Sequence, residues 1–224
     1  MGSKNKLKRF KENEVLQNVI QPERKVLEKD DFSLKGNWSK SFFKNDNPIV
    51  LELGCGKGEY TVSLAAIYPE KNFIGIDIKG ARLWRGAKNA LKDKLKNVAF
   101  IRTQIELINS LFLGKEVSEI WLTFPDPQIK YKRDKLRLTN PNFLNKYKNV
   151  LIDGGLVHLK TDSEFLYGYT LGILKDEKFK VCYANHDIYK NPQAPDYVIG
   201  IQTFYEKKFI SKKKSITYIK FKFN

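Results

Sequence analysis

The sequence predicts an α/β fold: a doubly wound, mostly parallel, seven-stranded sheet whose last strand is antiparallel. Three observations carry that reading. The buried-strand segment Ile49 to Leu53 stops abruptly at glycines on alternate positions, Gly54, Gly56 and Gly58. A second apolar run, Phe73 to Ile76, follows about twenty residues later and ends in a carboxylate, Asp77. Beyond it, strand-length apolar runs keep alternating with stretches of helical period, which specifies parallel strands joined by crossover helices.

The first 34 residues begin polar and basic, through Lys4, Lys6, Lys8, Arg9 and Lys11. A basic arm that orders on nucleic acid and a frayed, solvated terminus are both open readings. Val15, Leu16, Val19 and Ile20 recur at helical spacing before Pro22. Loop-like Lys35 to Trp38 and Asn45 to Pro48 lead into the first strand. The glycine turn passes into a short helix from Tyr60 to Ala66. After Asp77, Ala81 to Leu95 carries Leu83, Ala87, Ala90 and Leu91 on one side and Arg82, Arg85, Lys88 and Lys92 on the other, an amphipathic crossover helix.

Val98 to Arg102 is the third strand, Ile105 to Phe112 a short helix, and Glu119 to Phe124 the fourth strand. Asn140-Pro141 starts a helix whose apolar face holds Phe143, Leu144, Tyr147 and Val150. Asp153-Gly154-Gly155 turns into the strand Leu156 to Lys160, in which His158 reads as a packed core histidine. Another helix follows Thr161-Asp162-Ser163-Glu164. Lys180 to Asp187 is the sixth strand, Asn191 to Pro195 a loop, and Thr203 to Phe209 helical. Ser215 to Asn224 alternates apolar residues with Tyr218, Lys220 and Lys222, which suits a half-exposed antiparallel strand near an edge.

The chemistry gathers where parallel strands end, because their carboxyl ends share one crevice. The glycines bring bare backbone to a ligand, and the helix after them directs its first N–H groups to the same place. Asp77 is placed to accept hydrogen bonds from two ribose hydroxyls. The spacing G-x-G-x-G, with Glu59 where a dinucleotide fold needs its third glycine, argues against a nicotinamide cofactor. Glu52 is an acid inside a buried strand and calls for a partner, such as an ammonium group. Gln104 follows the third strand within reach of an adenine edge. Asp126 sits between Pro125 and Pro127 at the end of the fourth strand, with its backbone fixed on both sides. Lys130 and Tyr131 then precede the cations Lys132, Arg133, Lys135 and Arg137, charges for phosphates beside an aromatic for stacking. Asp162 also lies at a strand's carboxyl end, although helix capping explains it equally well.

Composition narrows the partners. The 224 residues hold 41 Lys and Arg against 25 Asp and Glu, a formal charge of +16. A polyanion is the expected partner, which disfavours a small-molecule enzyme. Cys55 and Cys182, the chain's 2 cysteines, form no C-x-x-C pair. Neither a disulfide framework nor a metal site is expected, and a reducing, cytoplasmic setting fits. No signal-peptide pattern and no apolar run of about eighteen residues suggests a membrane.

Two resemblances follow. Glu52-x-Gly54-x-Gly56-x-Gly58 with Gly75-Ile76-Asp77 resembles the S-adenosylmethionine site of Rossmann-like methyltransferases. From about Lys35 onward the chain resembles bacterial tRNA (guanine-N(7)-)-methyltransferases. That likeness is carried by Lys35-Gly36-x-Trp38, Phe124-Pro125-Asp126-Pro127, Arg137-Leu138-Thr139, Phe143-Leu144, Lys160-Thr161-Asp162 and Thr203-x-Tyr205-Glu206. It implies an extension over residues 1–34 and a methyltransferase domain over 35–224, with S-adenosylmethionine as cofactor and tRNA as partner, acting as a monomer or a homodimer. It further implies a cofactor site of Glu52, Asp77, Gln104 and Asp126. Lys130, Asp162, Thr203, Tyr205 and Glu206 are the implied substrate contacts. The transfer would be to the 7-position nitrogen of a guanine in the variable loop, with Asp126 catalytic. Three positions depart from the pattern: Gln128-Ile129 replaces Trp-Pro, Gln104 replaces an acid, and Phe204 replaces Glu.

Overall fold

The computed structural model describes residues 3–191 and 193–224, without the side chains of Ser3 and Lys4. Expectations that involve Met1, Gly2, the Lys4 side chain or Pro192 lie outside the described residues. The chain opens with α1 (Ser3–Val15), β1 (Val19–Ile20) and α2 (Arg24–Glu28), followed by a π-helical turn over Trp38–Phe43. The alternating core is β2 (Ile49–Leu53), α3 (Glu59–Ile67), β3 (Asn72–Ile76), α4 (Gly80–Lys92) and β4 (Val98–Ile101). It continues through α5 (Ile108–Leu111), β5 (Val117–Thr123), α6 (Pro141–Val150), β6 (Leu151–Thr161), α7 (Glu164–Asp176) and β7 (Lys180–Asn185). The chain closes with α8 (Asp196–Ile199), α9 (Phe204–Ser211) and β8 (Thr217–Lys222).

The strands form one sheet in the order β1-β4-β3-β2-β5-β6-β8-β7, in which only β8 runs antiparallel to its neighbours. The strand order reverses between β2 and β5, so a crevice opens at the carboxyl ends of those strands. Helices cover both faces. On one face Leu51, Leu53, Ile74 and Ile76 pack with Phe143, Leu144 and Leu166. On the other, Val50, Phe73 and Phe100 pack with Tyr60, Leu64, Leu83 and Val198. The helices α3 and α4 cross closely because Gly58 and Gly86 touch there. A Cβ on Gly86 would stand 3.0 Å from the Cα of Gly58 and 2.7 Å from the Phe100 ring.

Two expectations are corrected. The helical spacing of Val15 to Ile20 resolves into the end of α1 and an eighth strand, Val19–Ile20, on β4. The edge of β4 presents unpaired backbone groups, and Phe100 N and Arg102 N donate to Asn18 O and Ile20 O at 2.8 and 2.9 Å. β-Branched Val19 and Ile20 satisfy that edge more readily than another helical turn does. β8 is antiparallel and lies second from the sheet edge, as expected, but it is not half-exposed, because β6 and β7 flank it on both sides. Tyr218, Ile219 and Phe221 are buried on both of its faces. Lys220 reaches out along the sheet to donate to Tyr197 Oη at 3.3 Å, as long basic stems do.

The N-terminal residues are part of the same packing. In α1, Asn13 donates to Gly80 O and the Arg9 guanidinium stacks on Trp84. Leu27 and Phe32 join the core that surrounds Trp38. Trp38 is fully buried, donates from Nε1 to Leu111 O at 3.0 Å, and stacks on Phe112 at 5.6 Å. Replacing that ring leaves a cavity and an orphaned carbonyl, so Trp38→Ala is expected to lower equilibrium stability in urea by about 3–5 kcal/mol. A loss under about 1 kcal/mol would show that the segment around Trp38 is not part of the cooperative core.

Candidate active site

The crevice holds a cavity of about 810 Å³. Glu52, Gly54, Gly56, Asp77, Asp126, Asp162, Thr203 and Tyr205 all reach it. Its floor is the turn after β2, where Gly54, Gly56 and Gly58 have φ of +77°, +57° and +67°. L-residues rarely adopt these values, which is why the alternate glycines are required. Gly54 N and Cys55 N donate to Ile76 O at 2.8 and 3.1 Å, so the turn is bonded to the end of β3. Cβ atoms on Gly54 or Gly56 would meet no neighbour closer than 4.0 Å. The absent side chains leave open space above the backbone.

Asp77 locks this turn. Its Oδ2 accepts from Gly56 N at 2.8 Å and its Oδ1 from Lys79 N at 2.7 Å. Each carboxylate oxygen retains a free lone pair, and the group faces the cavity. Glu52 finds internal partners as well. Its Oε2 accepts from the Thr61 N at 2.9 Å and from the Thr61 hydroxyl, and its Oε1 from the Thr123 hydroxyl at 2.5 Å. Burial raises the Glu52 pKa to about 7, against the lowering effect of the Thr123 and Thr61 hydrogen bonds. The expectation that Glu52 requires an outside ammonium is thus revised: three donors from α3 and β5 already satisfy it. Cys55, between the glycines, is no nucleophile, because burial pushes its thiol well above the ordinary range.

The turn after β5 is held from both sides. Phe124 and Gln128 have φ of +49° and +45°, left-handed values for residues with side chains. Pro125 and Pro127 restrict the backbone between them, and Asp126 Oδ1 accepts from Gln128 N at 3.0 Å. Asp126 is nonetheless exposed to the cavity mouth. Asp162 reaches the cavity too and is paired with Lys214 at 2.8 Å. Capping of α7 falls instead to Ser163, whose Oγ accepts from Leu166 N.

Three expected site residues are placed differently. Gln104 lines a neighbouring cavity of about 390 Å³, where it accepts from Arg24 Nη1 at 3.1 Å. Arg137 is buried, unlike Lys130, Lys132, Arg133 and Lys135, which are exposed. It pairs with Asp134, donates to Gln128 O at 3.2 Å, and stacks on Phe165 and Tyr169 at 4.9 and 4.5 Å. Its charge is consumed in anchoring the basic loop to α7. Glu206 is fully buried, 2.7 Å from Lys160 Nζ, and accepts from Tyr189 Oη at 2.6 Å. It also completes a capping box with Thr203 at the start of α9. Of that segment, Tyr205 and Thr203 face the cavity while Glu206 holds them there.

Sequence reasoning missed Thr61, Thr123 and Lys160 as the supports of the site. The signal for Lys160 was present: a lysine in mid-strand flanked by buried residues needs an acid. Lys57 was missed as well, and its Nζ lies 4.3 Å from the Phe204 ring centroid at the rim. His158 is the packed histidine expected, stacked on Trp121 at 4.0 Å. Among the described residues no cluster of potential metal ligands occurs.

The cavity suits a ligand that is both nucleoside and amino acid. Its volume lies within the usual range for small-molecule sites. Ile78, Ile105 and Leu138 supply apolar wall, Asp77 supplies acceptors for a diol, and the bare glycine turn supplies close approach. The chain matches the family described as putative methyltransferase over residues 46–219. Solved structures share its fold: a 16S rRNA methyltransferase, KamB, superposes with TM-score 0.64 at 14% identity over 83% of this chain and 92% of that one. A 30S ribosomal A1408 methyltransferase from an uncultured bacterium does so with TM-score 0.61 at 17% identity over 86% and 96%. The fold and site define an S-adenosylmethionine-dependent methyltransferase of the Rossmann-like class. A tRNA (guanine-N(7)-)-methyltransferase of Christiangramia forsetii is 68% identical over 99% of both chains. Another, from Bacteroides fragilis, is 48% identical over 97% of this chain and 85% of that one. The chain belongs to the tRNA (guanine-N(7)-)-methyltransferase family.

Two outcomes are expected. The unfolded carboxyl of Glu52 titrates near 4.5 and the folded one near 7, so between those values the native state holds a proton that the unfolded chain has released. Stability from this group therefore falls as pH rises through that window. His158, lowered by burial, acts in the opposite sense there, and Glu52→Gln leaves it in place. Urea unfolding across the window is expected to show the variant gaining on the wild type by about 3 kcal/mol, whereas parallel curves would contradict a protonated Glu52. Separately, Arg137→Ala is expected to speed chymotryptic cleavage at Tyr131 or Leu136 about tenfold or more by releasing the loop. Cleavage at the wild-type rate would remove Arg137 as its anchor.

Proposed function

We propose that this enzyme transfers a methyl group to N7 of a guanine in the variable loop of tRNA, with Asp126 as the catalytic residue. The single observation that supports this reading best is the convergence of Asp77, Asp126 and Asp162 on one cavity that Ile129 and Leu136 also line, with exposed Lys130, Lys132, Arg133 and Lys135 in the segment between those two residues. S-adenosylmethionine, when bound, supplies an electrophilic methyl on a positively charged sulfur. Asp77 would hold the ribose, and the backbone of Gly54 and Gly56 would take the amino-acid portion beside Glu52.

Guanine N7 has an in-plane lone pair and no proton at neutral pH, so no side chain need act as a general base. Catalysis then rests on position and charge. Asp126, immobilised between two prolines, would accept N–H bonds from the base edge and stabilise the positive charge that builds on the ring. The target base must leave its stack, which costs a few kcal/mol. Exposed Tyr205 at the mouth offers it a new stacking surface, and the cations of the 130–135 segment take the neighbouring phosphates. One chain supplies every group named, so the site is complete within a protomer whether the enzyme works as a monomer or a homodimer. No helix among the described residues is long and apolar enough to cross a membrane, and we place the enzyme in the cytoplasm, with its tRNA.

Incubation of unmodified tRNA with the protein and methyl-labelled S-adenosylmethionine, followed by nucleoside analysis, is expected to yield labelled 7-methylguanosine. Label on another nucleoside, or none, would overturn the assignment. Asp126→Ala is expected to lower kcat about a hundredfold or more while changing tRNA affinity less than about threefold. Equal turnover in the variant would remove Asp126 from the mechanism.

A further inference from the structure

The solvent face of α4 carries Arg82, Arg85, Lys88 and Lys92, and the helix from Gly80 to Lys92 contains no acid at all. All four cations are exposed. Like charges at i,i+3 and i,i+4 weaken a helix, and a helix that served only to cover the sheet would interleave acids with them. This one keeps three such like-charge steps in sequence, 82 to 85, 85 to 88 and 88 to 92. The acid within 4.0 Å of Lys88 is Glu12 of α1, which already accepts from Trp84 Nε1 at 2.7 Å.

The stripe is connected to the reaction cavity. Arg82, at its start, lines that cavity alongside Asp77 and Lys79. From there to Lys92 the helix advances about 15 Å at 1.5 Å per residue, the span of several nucleotides. The helix α1, docked against α4, carries exposed Lys8 and Lys11 and one exposed acid, Glu14. Arg9 takes no part, since its guanidinium lies over Trp84 and donates to Ala81 O.

We propose that the exposed faces of α4 and α1 form a second phosphate-binding surface, separate from the 130–135 loop, along which the sugar-phosphate backbone of the tRNA runs away from the target guanine. The proposal rests on the tRNA reading given above and extends it to residues outside the family motifs. Positive charge set along a helix, free of acids and continuous with the cavity, matches a polyanion of regular spacing. Without base contacts it contributes affinity and orientation and no sequence preference.

The test replaces Arg85, Lys88 and Lys92 together by Gln in the full chain and compares tRNA binding by fluorescence anisotropy over a range of salt concentrations. The control replaces Lys175, Lys178 and Lys180 by Gln. Those lysines are equally exposed but lie at the end of α7 and the start of β7, at the opposite end of the sheet from the crevice. The α4 variant is expected to bind tRNA about tenfold or more weakly near physiological salt, with the log–log salt slope reduced by about two. The control is expected to keep the wild-type slope. Calorimetry with S-adenosylmethionine checks that the α4 variant folds and retains its cofactor site.

Equal loss in both variants would assign the effect to net charge and overturn the proposal, as would an unchanged slope in the α4 variant. Binding is read without methyl transfer, so the two readings fail separately. A wild type that binds tRNA through α4 but labels no guanine sinks the proposed reaction alone, whereas labelled guanine with an unchanged α4 slope sinks the second surface alone.

Discussion

The position of the whole site depends on one buried carboxyl group. Glu52 lies in the central strand, almost wholly buried where the cavity begins, and its two oxygens collect three donors from two other elements. A buried polar group left unpaired costs more than a hydrogen bond contributes, so α3 and β5 are held where Thr61 and Thr123 reach that group. The register of β2 with β5, which pairs Glu52 with Trp121, brings Thr123 beside it. In consequence the glycine turn that follows β2 and the proline-bounded turn that follows β5 are fixed relative to each other. The first of those turns forms the floor of the cavity and the second lines its mouth. The protonated state favoured by burial near neutral pH adds a further property: a cationic group brought close by would favour release of that proton.

A second buried network governs the remaining wall. Lys160 in β6 has no solvent exposure, yet it meets Glu206 and donates to Val198 O and Ile201 O at 2.6 and 3.0 Å. Those contacts tie α8 and the start of α9 to the sheet. Removing either charge alone would leave the other buried without a partner, a more severe change than deleting both. The geometric result is that Thr203 and Tyr205 are turned to the cavity by the same half-turn of helix that buries Glu206. A motif that reads as three substrate contacts therefore divides into two that face the cavity, Thr203 and Tyr205, and one that anchors them, Glu206. Arg137 shows the same division within the basic loop.

Much of the architecture was legible because hydrophobic period and glycine spacing report directly on local structure. The strand ending at Leu53, the left-handed turn at Gly54 to Gly58, the strand-end acid Asp77 and the core placement of His158 all followed from such signals. The failures share a cause. Val19 and Ile20 were assigned by helical spacing, but an unpaired sheet edge outside their own neighbourhood decided their conformation. The lysines of β8 suggested exposure, whereas burial was set by β7 pairing beyond it. Arg137 and Glu206 were counted as surface charges because their partners, Phe165, Tyr169, Tyr189 and Lys160, are distant in sequence or ordinary in type. Gln104 stands at the strand end expected, but Arg24, from a segment with no evident role in the sequence, draws it into the adjoining cavity.

In the proposed reaction the donor and the target base meet in the cavity between the glycine turn and Asp126. A crystal structure with S-adenosylhomocysteine, the product left after methyl transfer, tests it most directly. The ribose hydroxyls are expected on Asp77, the amino-acid portion over Gly54 and Gly56, and the sulfur facing the Asp126 side of the cavity. Density for the nucleoside in the Arg24–Gln104 cavity instead, or a sulfur turned away from Asp126, would contradict it.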